Sequence, residues 1–357
     1  MSDNPSPDRV PVRDDLEGVT PYGAPQLDVP VRLNTNETPY PVPDHYAQQL
    51  AKAIAALGLN RYPDRRAAAL RTALGGRFGL PAERVWAANG SNEILVQLFQ
   101  AYGGPGRQLL LFRPGYSAHP LLARVAVTES VEADLDADLR LTPELALEAV
   151  ERHKPDLICI ASPNNPTGIP VPLESVRALH DSSRALVIVD EAYVEFGGDS
   201  AAELLDELPR LAITRTFSKA WRLAGLRLGY LLAHAWVIED LRKVRLPYHL
   251  DAITQEAGLL AVELASEVTA HVADVVAERD RLRGALVAID GVSVFDSAAN
   301  FLLFSTQVPD LFDRLLARGV LVRDFSQLPR LEGCLRVTVG SAEENDRFLA
   351  AMKECMQ

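Results

Sequence analysis

Leu157-Ile158-Cys159-Ile160, Ala185-Leu186-Val187-Ile188-Val189 and Leu211-Ala212-Ile213-Thr214 are three short apolar runs, and each leads into a polar residue. The residues they lead into are Asn165, Asp190 and Lys219, spaced 25 and 29 residues apart. That spacing is close to the roughly 30 residues of one strand–helix–strand unit. Aliphatic runs without alternation are what strands buried on both faces of a parallel sheet require. In such sheets ligands bind beyond the carboxyl ends of the strands. An amide, a carboxylate and an amine are therefore predicted to meet in one crevice.

Outward from these runs, strand and helix patterns alternate from Trp86 to about residue 235, which predicts a doubly wound α/β domain with a mostly parallel sheet. Upstream, apolar residues at helical spacing predict helices over 44–57 and 65–78. Downstream, 250–288 reads as long and helical, with Val268, Val272, Val275 and Val276 on one side. Short strands are then predicted at 292–295, 301–305, 319–323 and 334–339, around a helix over 309–318. That is a smaller α+β unit. The expected organisation is an extended, proline-punctuated arm over 1–45 joining the small domain, a large domain over 46–265 and a small domain over 266–357.

At 357 residues, 48% of them hydrophobic and 24% charged, the chain has the composition of a globular protein with ample core. A formal net charge of -12 disfavours nucleic acid and anionic membrane as partners. Anionic small molecules remain possible, because a local arginine pair overrides a global charge. Residues 1–15 lack the apolar segment of a signal peptide, and no apolar stretch reaches the ~18 residues of a membrane span. The seven histidines and three cysteines show no ligand spacing, so no metal site is expected. Cys159 lies inside a predicted buried strand as a small apolar thiol, and a reducing cytoplasm fits best.

A lysine at a strand end is ordinarily a solvated surface residue. Here Thr216-Phe217-Ser218-Lys219-Ala220-Trp221 is followed by Gly225-Leu226-Arg227-Leu228-Gly229-Tyr230. An amine flanked by a serine, with an arginine eight residues on, suits a Schiff-base lysine beside a phosphate clamp. Pyridoxal phosphate needs such a lysine, a phosphate site and an acid for its pyridinium nitrogen. Asp190 is the candidate acid, though an aspartate ending a strand is otherwise often a turn or capping residue.

Ser162-Pro163-Asn164-Asn165-Pro166-Thr167-Gly168, Asp190-Glu191-Ala192-Tyr193 and Ser218-Lys219 with Arg227 resemble, in this order, the signature of the fold-type I pyridoxal-phosphate aminotransferases. Four further segments are similar to the histidinol-phosphate aminotransferase branch of that family. They are Leu33-Asn34-Thr35-Asn36-Glu37-Thr38-Pro39-Tyr40, Arg61-Tyr62-Pro63-Asp64, Ala299-Asn300-Phe301 and Gly333-Cys334-Leu335-Arg336-Val337-Thr338-Val339-Gly340. Thr38 departs from the asparagine that the branch carries there.

The resemblance implies a role for each matching position. Lys219 would carry the cofactor and move the substrate proton, and Asp190 would pair with the ring nitrogen. Asn165 and Tyr193 would donate to the ring oxygen, and Tyr116 would stack on the ring. The cofactor phosphate would sit on Gly90-Ser91-Asn92-Glu93, where a helix start offers free N–H groups, with Ser218 and Arg227 completing the clamp. Tyr62 would reach the cofactor phosphate of the other subunit of a homodimer. Arg323, Arg336 and Tyr22 would hold the substrate phosphate, and Asn36 would lie near the substrate. Guanidinium forks suit phosphate oxygens. The implied reaction is transamination between histidinol phosphate and 2-oxoglutarate. An aromatic amino acid aminotransferase, with Arg336 on a carboxylate, and a phosphothreonine decarboxylase are the rivals. An aminotransferase-like sensor of a transcription regulator needs a helix-turn-helix unit, for which 1–45 is too short and too rich in proline.

Overall fold

Neighbouring side chains of the three apolar runs go to opposite faces of one sheet, and both faces are buried. Ile158, Ile160, Val187, Val189, Leu211 and Ile213 enter one apolar cluster, while Leu157, Cys159, Leu186, Ile188 and Ala212 enter another. In this computed structural model, which describes residues 10–21 and 23–356, the runs form the strands Leu157–Ala161, Leu186–Asp190 and Leu211–Thr216. They stand at the centre of a seven-stranded sheet. Its order is Val85–Ala88, Gly229–Ala233, Leu211–Thr216, Leu186–Asp190, Leu157–Ala161, Gln108–Arg113, Glu129–Asp134. Gly229–Ala233 runs antiparallel to both neighbours, and the remaining pairings are parallel.

The first crossover carries the helix Leu173–Asp181, as the strand spacing predicts. The second carries two 3-10 turns instead, Val194–Phe196 and Ala201–Leu204. Gly197 and Gly198 interrupt that segment, and glycine is a poor helix former. The helix expected over 65–78 begins later, at Ala68. Asp64 accepts the backbone N–H groups of Arg66 and Ala68 at 2.9 and 2.8 Å, which turns the chain before the helix starts.

The long helical stretch is broken into Ala252–Glu263, Ala265–Val268 and Val272–Val287. Near the second break the Thr269 hydroxyl donates to the Ala265 carbonyl at 2.7 Å, competing with the helix ladder. Helix Val272–Val287 serves two cores: Val275 packs into the large one, and Leu282 and Leu286 into that of the smaller sheet. The smaller sheet has the order Arg323–Asp324, Cys334–Thr338, Phe301–Thr306, Val292–Val294, all antiparallel. The expected strand over 319–323 is divided. Val320–Leu321 pairs in parallel with Val31–Arg32 from the N-terminal segment, and Arg323–Asp324 joins the smaller sheet. Among the described residues no helix is long and apolar enough to cross a membrane.

Candidate active site

The carboxyl ends of the central strands, the start of helix Ser91–Tyr102 and the edge of the smaller sheet surround a cavity of about 540 Å³. Of the described site residues expected from the sequence, all line it except Tyr62 and the two ends of the phosphate segment, Gly90 and Glu93. Tyr22 lies outside the described residues. Tyr62 is 80% exposed and stacks on Tyr248, with ring centroids 4.3 Å apart.

Lys219 follows the strand Leu211–Thr216 and is bracketed by the buried Phe217, Ala220 and Trp221. These anchors fix its backbone while its amine enters the cavity and donates to the Thr35 carbonyl at 2.8 Å. Burial first, and then the Arg336 guanidinium, push its pKa down to about 8, against the opposing pull of Glu37. The amine is thus poised near neutrality as a nucleophile and base.

Asp190 ends its strand with the carboxylate buried and satisfied on both oxygens. Thr214, its partner on the adjacent strand, donates to Oδ1 at 2.9 Å, and His119 Nε2 lies 3.4 Å from Oδ2. Burial opposes a charge on His119, but the Cys159 sulfur and the Asp190 carboxylate beside it outweigh that and raise its pKa. Tyr116 meets the same imidazole edge to face at 5.1 Å. The Tyr193 hydroxyl accepts from Asn36 Nδ2 at 2.9 Å and from Asn165 Nδ2 at 3.5 Å.

An anion cradle lies at the other end of the cavity. Gly90, at φ +85°, precedes the helix that Ser91 and Asn92 begin. A Cβ on Gly90 would stand 3.2 Å from Arg227 Nη2, and one on Gly229 would stand 2.4 Å from the Ser91 nitrogen. Backbone N–H groups, a helix start and a guanidinium therefore converge where no side chain fits. Ser218 is held there by its N–H to Thr216 Oγ1 at 3.1 Å, and Arg227 Nη1 donates to its hydroxyl at 3.4 Å.

Three successive carbonyls organise the opposite wall. Those of Asn34, Thr35 and Asn36 accept from Arg336, Lys219 and Asn300 at 2.9, 2.8 and 3.0 Å. Arg336 is buried between Phe301 and Phe325, 5.1 and 5.3 Å from their ring centroids, and donates to Asn165 Oδ1. Arg323 is half-buried on the neighbouring strand and donates to the Gly23 carbonyl at 3.4 Å.

Sequence reasoning missed His119, Thr214, Thr216 and Phe325. His119, on the helix Ala118–Val125 three residues beyond Tyr116, offers no periodic pattern; Thr214 shows its role only through its pairing with Asp190, Thr216 through its contact with Ser218, and Phe325 through its contact with Arg336. The pyridoxal phosphate expected from the motifs fits this set. A cradle shaped for an anion, a buried carboxylate and a buried lysine of lowered pKa are the three groups it requires. Among the described residues no group of three or more His, Cys, Asp or Glu could hold a metal ion.

The sequence pattern of the family described as "Aminotransferase class I and II" matches residues 29–352. The histidinol-phosphate aminotransferase of Thermobifida fusca (strain YX) is 48% identical over 355 residues, which span 97% of this chain and 95% of that one. That of Streptomyces avermitilis is 48% identical over 362 residues, 97% of each chain. Among solved structures, the histidinol-phosphate aminotransferase of Sinorhizobium meliloti in complex with pyridoxal-5'-phosphate superposes with a TM-score of 0.87 over 97% of each chain. At 23% identity that likeness concerns the fold alone.

Proposed function

The chain belongs to the class I and II aminotransferase family, and we propose from that premise that it is the histidinol-phosphate aminotransferase of histidine biosynthesis. Histidinol phosphate gives up its amino group and leaves as imidazole-acetol phosphate; 2-oxoglutarate takes the group and leaves as glutamate. The cofactor is pyridoxal phosphate. When bound, it supplies an aldehyde carbon that accepts amines and a ring that draws electrons from the substrate carbon. In this reading Asp190 keeps the ring nitrogen protonated, while Thr214 and His119 hold the carboxylate in place. Ser91, Asn92, Ser218 and Arg227 take the cofactor phosphate. Tyr116 covers the ring, and Tyr193 and Asn165 orient its oxygen. Lys219, freed by the incoming amine, moves the proton at the substrate carbon.

The observation that carries the substrate is Arg323 facing Arg336 at the mouth of the Lys219 cavity. Two guanidinium groups on one face suit a phosphate better than a single carboxylate. Asn36, hydrogen-bonded to Tyr193, closes the same wall. The reading extends to a homodimer with shared sites. It is supported by Tyr62 standing exposed away from its own cavity, with Leu59, Leu246 and Tyr248 exposed as well. Three free, buried cysteines suit a reducing cytoplasm. The test is an amino-donor panel of histidinol phosphate, phenylalanine, tyrosine and phosphothreonine, with 2-oxoglutarate as acceptor. Histidinol phosphate is expected to give the highest kcat/KM. Preference for an aromatic amino acid, or carbon dioxide release from phosphothreonine, would replace this reading.

A further inference from the structure

We infer that Arg330 is a positioning residue for phosphate recognition: it clasps the loop joining the two substrate arginines to the large domain. This rests on the proposed role of Arg323 and Arg336. The loop leaves the smaller sheet after Arg323–Asp324 and returns at Cys334–Thr338. At its tip Arg330 adopts φ +70°, a left-handed conformation costly for any residue other than glycine. What that conformation achieves is visible at the guanidinium. Nη1 donates to the carbonyls of Leu135 and Arg113 at 2.6 and 3.2 Å, and Nη2 donates to that of Asp136. These carbonyls lie at the ends of Gln108–Arg113 and Glu129–Asp134; those of Arg113 and Asp136 also accept the N–H groups of Leu135 and Leu139 at 2.9 and 3.2 Å, so the fork grips a turn that the backbone has already ordered.

The clasp touches both walls of the active site. On the large-domain side Arg113 immediately precedes Pro114-Gly115-Tyr116, which leads into the cavity. On the other side the loop begins with Phe325, against which the Arg336 guanidinium lies. Leu331 adds apolar contact with Leu139 and Ile169 of the large domain. Apolar packing does not fill the space under the tip, however. An adjoining cavity of about 220 Å³, which shares Tyr116 with the active-site cavity, lies between Leu328, Pro329 and Leu331 of the loop and Leu111, Leu139 and Ile160 of the large domain. Beside the apolar contacts of Leu331, the guanidinium fork is what ties the tip of the loop to the large domain. Through Phe325 the clasped loop bears on the Arg336 guanidinium, which lies 5.3 Å from that ring.

The experiment uses the pyridoxal-phosphate holoenzyme and compares wild type, Arg330→Met, which keeps an apolar stem without donors, and Arg330→Lys. In Arg330→Met the KM for histidinol phosphate is expected to rise roughly tenfold with kcat within about twofold, since small misplacements of binding groups are costly. The dissociation constant of inorganic phosphate, measured by calorimetry, is expected to weaken in parallel. Lysine, with donors but no fork, should recover part of both. If Arg330→Met shows only a lowered melting temperature, with KM and phosphate binding within twofold of wild type, the residue is merely structural and the inference is overturned. Should Arg330→Met not fold, unchanged phosphate binding in Arg330→Lys overturns it equally. A wild type that ignores histidinol phosphate refutes the proposed substrate, and the phosphate titration still decides the clasp.

Discussion

Arg323 stands directly across from Arg336 in the antiparallel pairing of the smaller sheet, so two cations share one face beside the catalytic cavity. Residues opposed in this way have Cβ atoms roughly 4.5–5.5 Å apart, and like charges there repel. Arg336 offsets its share through two carbonyl oxygens and two aromatic faces. Among the described residues, Arg323 donates to the Gly23 carbonyl at 3.4 Å. Two guanidinium groups placed in this way favour an anion between them.

Loss of Arg323 is therefore expected to be selective. A charge-assisted hydrogen bond contributes roughly 1.5–3 kcal/mol, and 1.36 kcal/mol is tenfold in rate. Arg323→Ala should lower kcat/KM for histidinol phosphate by roughly 10- to 200-fold and affect aromatic amino acids much less. Arg336→Ala should impair both classes. Steady-state kinetics on the two donor types check this, and a change within twofold for histidinol phosphate would refute the clamp.

Lys219→Ala is expected to abolish turnover, although cofactor can still be held through Ser91, Ser218 and Arg227. Borohydride reduction of the wild-type holoenzyme, followed by peptide mapping, should place the pyridoxyl label on Lys219. A label on another lysine would sink the assignment.

The lowered pKa of Lys219 has a direction that can be read. Its amine is protonated below about pH 8 and free above it, whereas an ordinary lysine stays charged to about 10.5. The rate at which cofactor-free enzyme captures pyridoxal phosphate should climb with pH and level off above about 8. Arg336→Gln removes a cation that lowers this pKa, so the midpoint should move upward. A profile still climbing past pH 10 in the wild type would contradict the burial of this amine.

Tyr62 is expected to act across a subunit interface. Mixing Tyr62→Ala with Lys219→Ala should restore activity, because one hybrid site then holds both native residues. Absence of recovery, with subunit exchange verified by mass spectrometry, would remove the shared site.

Asp190, Lys219 and the central strands were legible because each sits in a short segment whose pattern has one physical meaning. A doubly buried strand must be continuously apolar, and the residues just past its carboxyl end must face the crevice. Arg323 and Arg336 were legible as a pair by motif, but their registration across two strands was not. His119 lay in plain view and carried no pattern, since one imidazole beside a carboxylate has no period. Thr35 illustrates the deepest limit. It holds Lys219 through a carbonyl that every residue possesses, so no side-chain reading could select it. The missing helix in the second crossover was a different error: strand spacing counts residues, and two short turns can span what a helix would.

The tripeptide Asn34-Thr35-Asn36 carries a temporal consequence. Asn36 binds Thr338 through its N–H at 2.9 Å, across 302 residues of sequence. Translation at roughly 5–20 residues per second separates the two by about 15–60 s. In the last third of that interval, once the strand Gly229–Ala233 exists, a nascent chain can complete the large sheet, Asp190 and Lys219 included, while Thr338 and Arg336 have yet to join the wall that Asn34 and Asn36 begin. With the proposed roles of these residues, catalytic competence is expected to arrive with the last strand to be synthesised, and an arrested polypeptide that already displays the lysine is expected to be inert.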